Sequence, residues 1–153
     1  MIYLHKPSVA FCIFLSLIAG CSATVDSKEV NVQSMTPGEF WTVPTDAIPI
    51  WIIYRTPEEI SVLSVINKPI SDKPPFNNAF RSIRPELFVV YGNCPGSTEL
   101  LRNDRGKGFT CLATGISYDL SGRPVDGNTA SASLSLPNYT FKNAVTLVIP
   151  NSQ

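Results

Sequence analysis

The stretch FTCLATGISYDLSGRP, residues 109–124, sets Cys111 seven residues ahead of a Tyr118-Asp119 pair. A cysteine in such a loop has the look of the second half of a metal-binding loop. The loop lacks the histidine that would share the metal. The chain has one histidine, His5, close to its N-terminus. Histidine is the commonest general base near neutral pH and the commonest metal ligand. Without one past residue 5, Ser-His-Asp, Cys-His and histidine-based zinc chemistry are excluded.

Other groups read as structural. GKGF at 106–109 is glycine-rich, but it lacks the spacing and the Lys-Ser/Thr end of a phosphate loop, so it reads as a hairpin tip. Glu58 and Glu59 could form a catalytic carboxylate pair. Behind Thr56-Pro57 they suit the acidic first turn of a helix better. Asp119 and Asp126 flank Ser-Gly-Arg-Pro and serve turn geometry.

The N-terminus carries a different chemistry. His5 and Lys6 form a short basic region, and residues 9–18 are an apolar run too short for the ~20 residues of a spanning helix. The run ends in LIAGC, residues 17–21. This resembles the lipobox of bacterial lipoproteins, which implies cleavage before Cys21 and acylation, palmitate included, of that cysteine. Ser22 rather than Asp follows, which implies outer-membrane placement facing the periplasm. With residues 1–20 gone, 11 basic residues face 12 acidic ones. Such balance does not suit nucleic acid, whose phosphates demand a basic face.

The elements that must position the cysteines are short. Residues 21–38, the lipidated cysteine with a polar stretch of no apolar period, read as a flexible linker, and 39–153 as one domain. IPIWIIYR (48–55) and Leu87–Tyr91 are strand-like runs. TPEEISVLSV (56–65) holds one helical turn. Residues 97–111 form a strand pair turning at 103–108. A short strand and turn in ISYDLSGRPVDG, the alternating SLSLPNYTF and a final AVTLVIP complete a small antiparallel all-β protein, sandwich- or barrel-like. Phe40, Trp41, Ile50, Trp51, Phe88, Val90, Leu134, Leu136, Tyr139, Phe141, Val145 and Leu147 are the expected core.

From about Trp41 to Pro150 the chain resembles the Rieske iron–sulfur subunit of ubiquinol–cytochrome c reductase. RPELFVVYGNC is similar to the strand leading into that family's first cluster loop. FTCLATGISYDLSGRP is similar to its second loop, and LSLPNYTF with AVTLVIP to its closing strands. The resemblance implies a Rieske-like domain with a cluster-loop subdomain, and in the family a 2Fe–2S cluster is held by two cysteines and two histidines. Cys94 and Cys111 match the cysteine ligands. Gly96 and Thr114 stand where the histidines belong. Ala113, and no residue of PGSTE, stand where a second cysteine pair would form a disulfide. Ile116 replaces a serine that donates to the cluster, and Tyr118 keeps a tyrosine that donates to a cysteine sulfur. GNTAS, 127–131, stands near where a proline-rich covering loop belongs.

Both cysteines hold one iron in the family, so the resemblance implies sulfurs close enough to bond once the metal is gone, in an oxidising compartment. A Cys94–Cys111 disulfide is the expectation, and no metal or cofactor. A redox pair, a retained metal and two free thiols are the other outcomes. The function expected is that of a lipid-anchored, non-catalytic binding or structural component of an envelope complex. Leu112, Ile116 and Tyr118 form its contact tip. The alternatives are an electron-transfer subunit with a 2Fe–2S cluster and a periplasmic thiol–disulfide protein using Cys94 and Cys111.

Overall fold

A computed structural model describes residues 26–65, 72–104, 106–125 and 132–150. Cys21, the leader and residues 127–131 lie outside the described residues. Among those described, the chain forms three antiparallel sheets of three strands each and one short helix.

The central sheet explains the apolar runs. It consists of β2 (Phe40–Val43), β3 (Ile50–Tyr54) and β4 (Leu87–Tyr91), with β3 in the middle. Trp51 pairs with Val90 and Ile52 with Val89. Alternate residues of a strand point to opposite faces, and both faces of this sheet are covered. Ile50, Ile52, Leu87 and Val89 pack with Val32, Met35, Leu147 and Ile149. Trp51, Phe88 and Val90 pack with Phe109, Cys111, Tyr118 and Leu134. A strand buried on both sides has no polar face to show, hence a run such as IPIWIIY.

The first covering sheet is β1 (Ser27–Asn31), β9 (Thr146–Pro150) and β8 (Thr140–Phe141). The second is β5 (Arg102–Asn103), β6 (Phe109–Cys111) and β7 (Ile116–Tyr118). The expected turn at 103–108 joins β5 to β6. Gly108 sits there at φ 112, and a Cβ on it would come within 2.0 Å of the Tyr118 carbonyl oxygen. Only glycine permits that approach.

Four expectations change. Residues 27–37 are not linker: β1 pairs with β9 from Ser27↔Pro150 to Asn31↔Thr146. Val32 and Met35 are 5% exposed. The signal is faint because an edge strand with one buried face needs few apolar residues, here Val30 and Val32 two apart. The helix, α1 (Pro57–Ser64), is eight residues rather than one turn. A capping box starts it: the Glu59 N–H donates to Thr56 Oγ1 at 3.3 Å, and the Thr56 N–H to Glu59 Oε2 at 2.8 Å. Glu59 is thereby occupied as a cap. SLSLPNYTF pairs only at Thr140 and Phe141, although the Tyr91 N–H donates to Ser135 O; Pro137 has no N–H to give a ladder. Finally, Phe40 is 38% exposed, lying edge-on to Trp51 with centroids 5.0 Å apart. Trp41, Leu136, Phe141 and Val145 are half-buried. The edge position of β2 leaves Phe40 uncovered.

Three buried arginines tie the loops to this frame. Arg81 holds Asp72 at 2.6 Å and donates to the Ser121, Gly122 and Leu134 carbonyls. Arg123 donates to Ala79 O and Asn78 O. Arg55, 1% exposed, donates to four oxygens of the same loops.

Tyr139 adds a pH-dependent contribution. Its phenol oxygen accepts from the Ile83 N–H at 3.0 Å, and burial pushes its pKa up to about 12. The unfolded chain ionises this group near pH 10. Between pH 10 and 12 the native state therefore holds the proton more tightly, and stability falls as pH rises. The stability advantage of the wild type over Tyr139→Phe should shrink by about 1.4 kcal/mol per pH unit above pH 10. Urea unfolding of both proteins from pH 8 to 11 checks this. A constant difference would refute it.

Candidate functional site

The candidate site lies where two loops leave the sheets. β4 runs into Gly92, Asn93 and Cys94, and the loop closes on itself. The Cys94 N–H donates to Glu99 O at 2.8 Å and the Ser97 N–H to Cys94 O at 3.1 Å. Asn93 Nδ2 donates to Ser97 O at 2.6 Å. The second loop follows β6 as a tight turn, the Gly115 N–H donating to Cys111 O at 2.8 Å.

Cys94 and Cys111 form a disulfide, with Cα atoms 5.5 Å apart and a sequence separation of 17. Each cysteine is 1% exposed, packed among Trp51, Phe88, Val90, Leu101, Phe109 and Leu134. The sulfurs are thus sealed from solvent by aromatic and aliphatic side chains. A thiol tuned for exchange needs access and a neighbouring cation. Lys107 lies in the 103–108 turn at the other end of β6 from Cys111.

The remaining singled-out residues divide by position. Gly96 turns its loop at φ 74, and a Cβ there would meet nothing within 4 Å. The Thr114 hydroxyl accepts from the Ile116 N–H at 3.4 Å. Leu112 is 58% exposed and Ile116 half-buried. Tyr118 is corrected as a contact residue: it is 2% exposed, and burial pushes its phenol pKa up. Two residues on from Ile116 and on the same face of β7, its ring lies in the core beside Phe109, its register partner.

Asp119 has its expected role, with Oδ1 accepting from Ser121 N–H, Ser121 Oγ and Arg123 N–H. Asp126 lies outside the described residues. At the far end of the sheet Asp104 accepts from Arg102 Nε and Thr110 Oγ1, both at 2.6 Å. The Arg102 hydrogen bond holds its carboxyl below the usual range. Among the described residues no group of three or more His, Cys, Asp and Glu could hold a metal. The arginine ties were missed by sequence reading. The signal for one was present, a cation ending the apolar run IPIWIIYR.

No protein-family model matches the chain. Curated proteins do. The ubiquinol-cytochrome c reductase iron-sulfur subunit of Allochromatium vinosum is 27% identical over 79% of this chain and 68% of its own length. The mitochondrial cytochrome b-c1 complex subunits Rieske-3 of Nicotiana tabacum and Rieske-1 of Arabidopsis thaliana are each 32% identical over 93% of this chain. The chain is thus similar to Rieske iron–sulfur subunits over most of its length. It spans only 55% and 54% of those two plant relatives. The region similar to them takes in the β2–β3–β4 sheet, the β5–β6–β7 sheet with its two disulfide-linked loops, and the β1–β9–β8 sheet.

Proposed function

We propose that this chain is a lipid-anchored envelope protein whose Rieske domain no longer carries an iron–sulfur cluster and acts as a non-catalytic binding or structural component. The observation that carries this reading is the buried Cys94–Cys111 bond. A Rieske centre needs two cysteine thiolates and two imidazoles. Here the two sulfurs are bonded to each other, Gly96 has no side chain, and the Thr114 hydroxyl caps a turn. The chain's only histidine is His5. This donor set does not fit the 2Fe–2S group.

Cys21 supplies the anchor. Several acyl chains on one residue hold a protein stably where a single chain does not. Ser22 favours the outer membrane. The exposed Leu112 offers apolar contact to an envelope partner, while Ile116 packs against the core beneath it.

The test is one intact mass of the aerobically purified protein, with and without alkylation, and an iron assay on the same sample. The expected result is no iron, with Cys94 and Cys111 resisting alkylation until reduced in denaturant. Two irons per chain would return the domain to electron transfer, the reading that the names of its relatives favour. Ready alkylation after mild reduction without denaturant would instead favour thiol–disulfide exchange.

A further inference from the structure

The short connection between Cys21 and the first strand fixes more than attachment. Six Cα steps separate Cys21 from Ser27, which span ~20 Å when fully extended. A domain of this size is roughly 35 Å across. The tether is therefore shorter than the body it holds, and the end bearing Ser27 cannot move far from the lipid surface.

The strand registers identify that end. Ser27 pairs with Pro150. Val43, Ile50 and Tyr91 are aligned at one end of the central sheet. These two ends meet across a cleft of about 560 Å³, lined by Ser27, Val43, Ile48, Ile50, Tyr91 and Pro150. The Lys28 ammonium donates to Pro44 O at 2.8 Å, binding β1 to the loop after β2. Cys94 follows Tyr91 by three residues, and its disulfide draws Cys111 and the exposed Leu112 to the same end. The opposite end carries α1, whose Val62 and Val65 are 55% and 79% exposed, and the 103–108 turn.

We infer that the end formed by Lys28, the 44–48 loop and the disulfide-linked loops with Leu112 faces the bilayer and touches it at headgroup depth. This rests on the proposed acylation of Cys21. Asp26 and Asp46 line the cleft at this end, and carboxylates keep it out of the hydrocarbon. The exposed Leu112 meets the interface, where apolar side chains are favoured. The apolar positions of α1 point away from the membrane.

The test uses the full-length protein, purified from membranes and set in nanodiscs of phosphatidylcholine and phosphatidylglycerol with gadolinium-labelled headgroups. Amide signals of Lys28, 45–48 and 112–115 should lose most of their intensity relative to unlabelled discs, while those of Val62, Val65 and Lys107 keep theirs. Leu112→Glu, at an exposed site, should restore the 112–115 signals. Losses centred on Val62 and Val65, or spread evenly, overturn the orientation. An intact mass of the same sample separates the two claims. Unmodified Cys21 overturns anchoring and orientation together. Acylated Cys21 with the wrong pattern overturns orientation alone.

Discussion

Replacing Cys94 and Cys111 together by alanine should lower the unfolding free energy by about 3 kcal/mol or more. The bond closes a loop with a sequence separation of 17, and its loss frees the unfolded chain to expand. Both sulfurs are also core atoms, each residue 1% exposed against Trp51, Phe88 and Phe109. Truncation leaves voids whose cost adds to the entropic one. Against a typical total of 5–15 kcal/mol this is a large fraction. Urea unfolding of the oxidised wild type and the double variant measures it. The variant should show an earlier midpoint and a steeper slope, because its unfolded state exposes more surface. A loss under about 1 kcal/mol would mean that the loops are held by packing alone.

Arg55→Ala should cost on the order of 4 kcal/mol. Nη1 donates to Pro85 O at 2.8 Å and Ser82 Oγ at 3.2 Å. Nη2 donates to Phe80 O and Leu120 O, both at 2.9 Å. The guanidinium carbon lies 4.6 Å from the centre of the Phe88 ring. Removing the side chain strands three carbonyls and opens a void beneath the ring. Burial pulls the Arg55 pKa down to about 10, with the fields of Tyr139, Glu59 and Asp119 opposing. The group remains a cation at neutral pH. Arg55→Lys keeps the charge but loses the planar fork, so it should recover only part of the stability. Hydrogen exchange adds a local readout, with faster exchange at 80–85 and 119–123 in both variants. An Arg55→Ala protein within 1 kcal/mol of wild type would refute the role.

The strands most readable in the sequence were those with the most to bury. Leu87–Tyr91 was expected with the bounds it has, because four of its five residues are fully enclosed. The 103–108 turn was legible from its glycines, and two glycines with positive φ, Gly106 and Gly108, sit in it. β1 was not legible: SKEVN is polar on its exposed face, and only its ladder to β9, more than a hundred residues away, makes it a strand. Long-range pairing leaves little local trace. At the site, the pairing of Cys94 with Cys111 followed from family likeness, since spacing alone does not specify connectivity. The burial of Tyr118 could have been read from its spacing, since two residues after Ile116 it shares that residue's inward face. Of the interlocking arginines only Arg55 was announced, as a cation ending an apolar run; Arg81 and Arg123 bond to backbone oxygens that no side-chain pattern reveals.

The ladder between β1 and β9 also orders events in time. Its first partner is among the earliest residues of the domain made, and its second among the last. The central strands can pair once Tyr91 has emerged, but the first covering sheet has no middle strand until 146–150 arrive. Until then Ile50, Ile52, Leu87 and Val89 have one uncovered apolar face. A nascent or translocating chain thus passes through a stage with a complete central sheet and an open flank, the form in which such domains are most prone to aggregate. Protection has to come from outside the chain until its last strand is delivered.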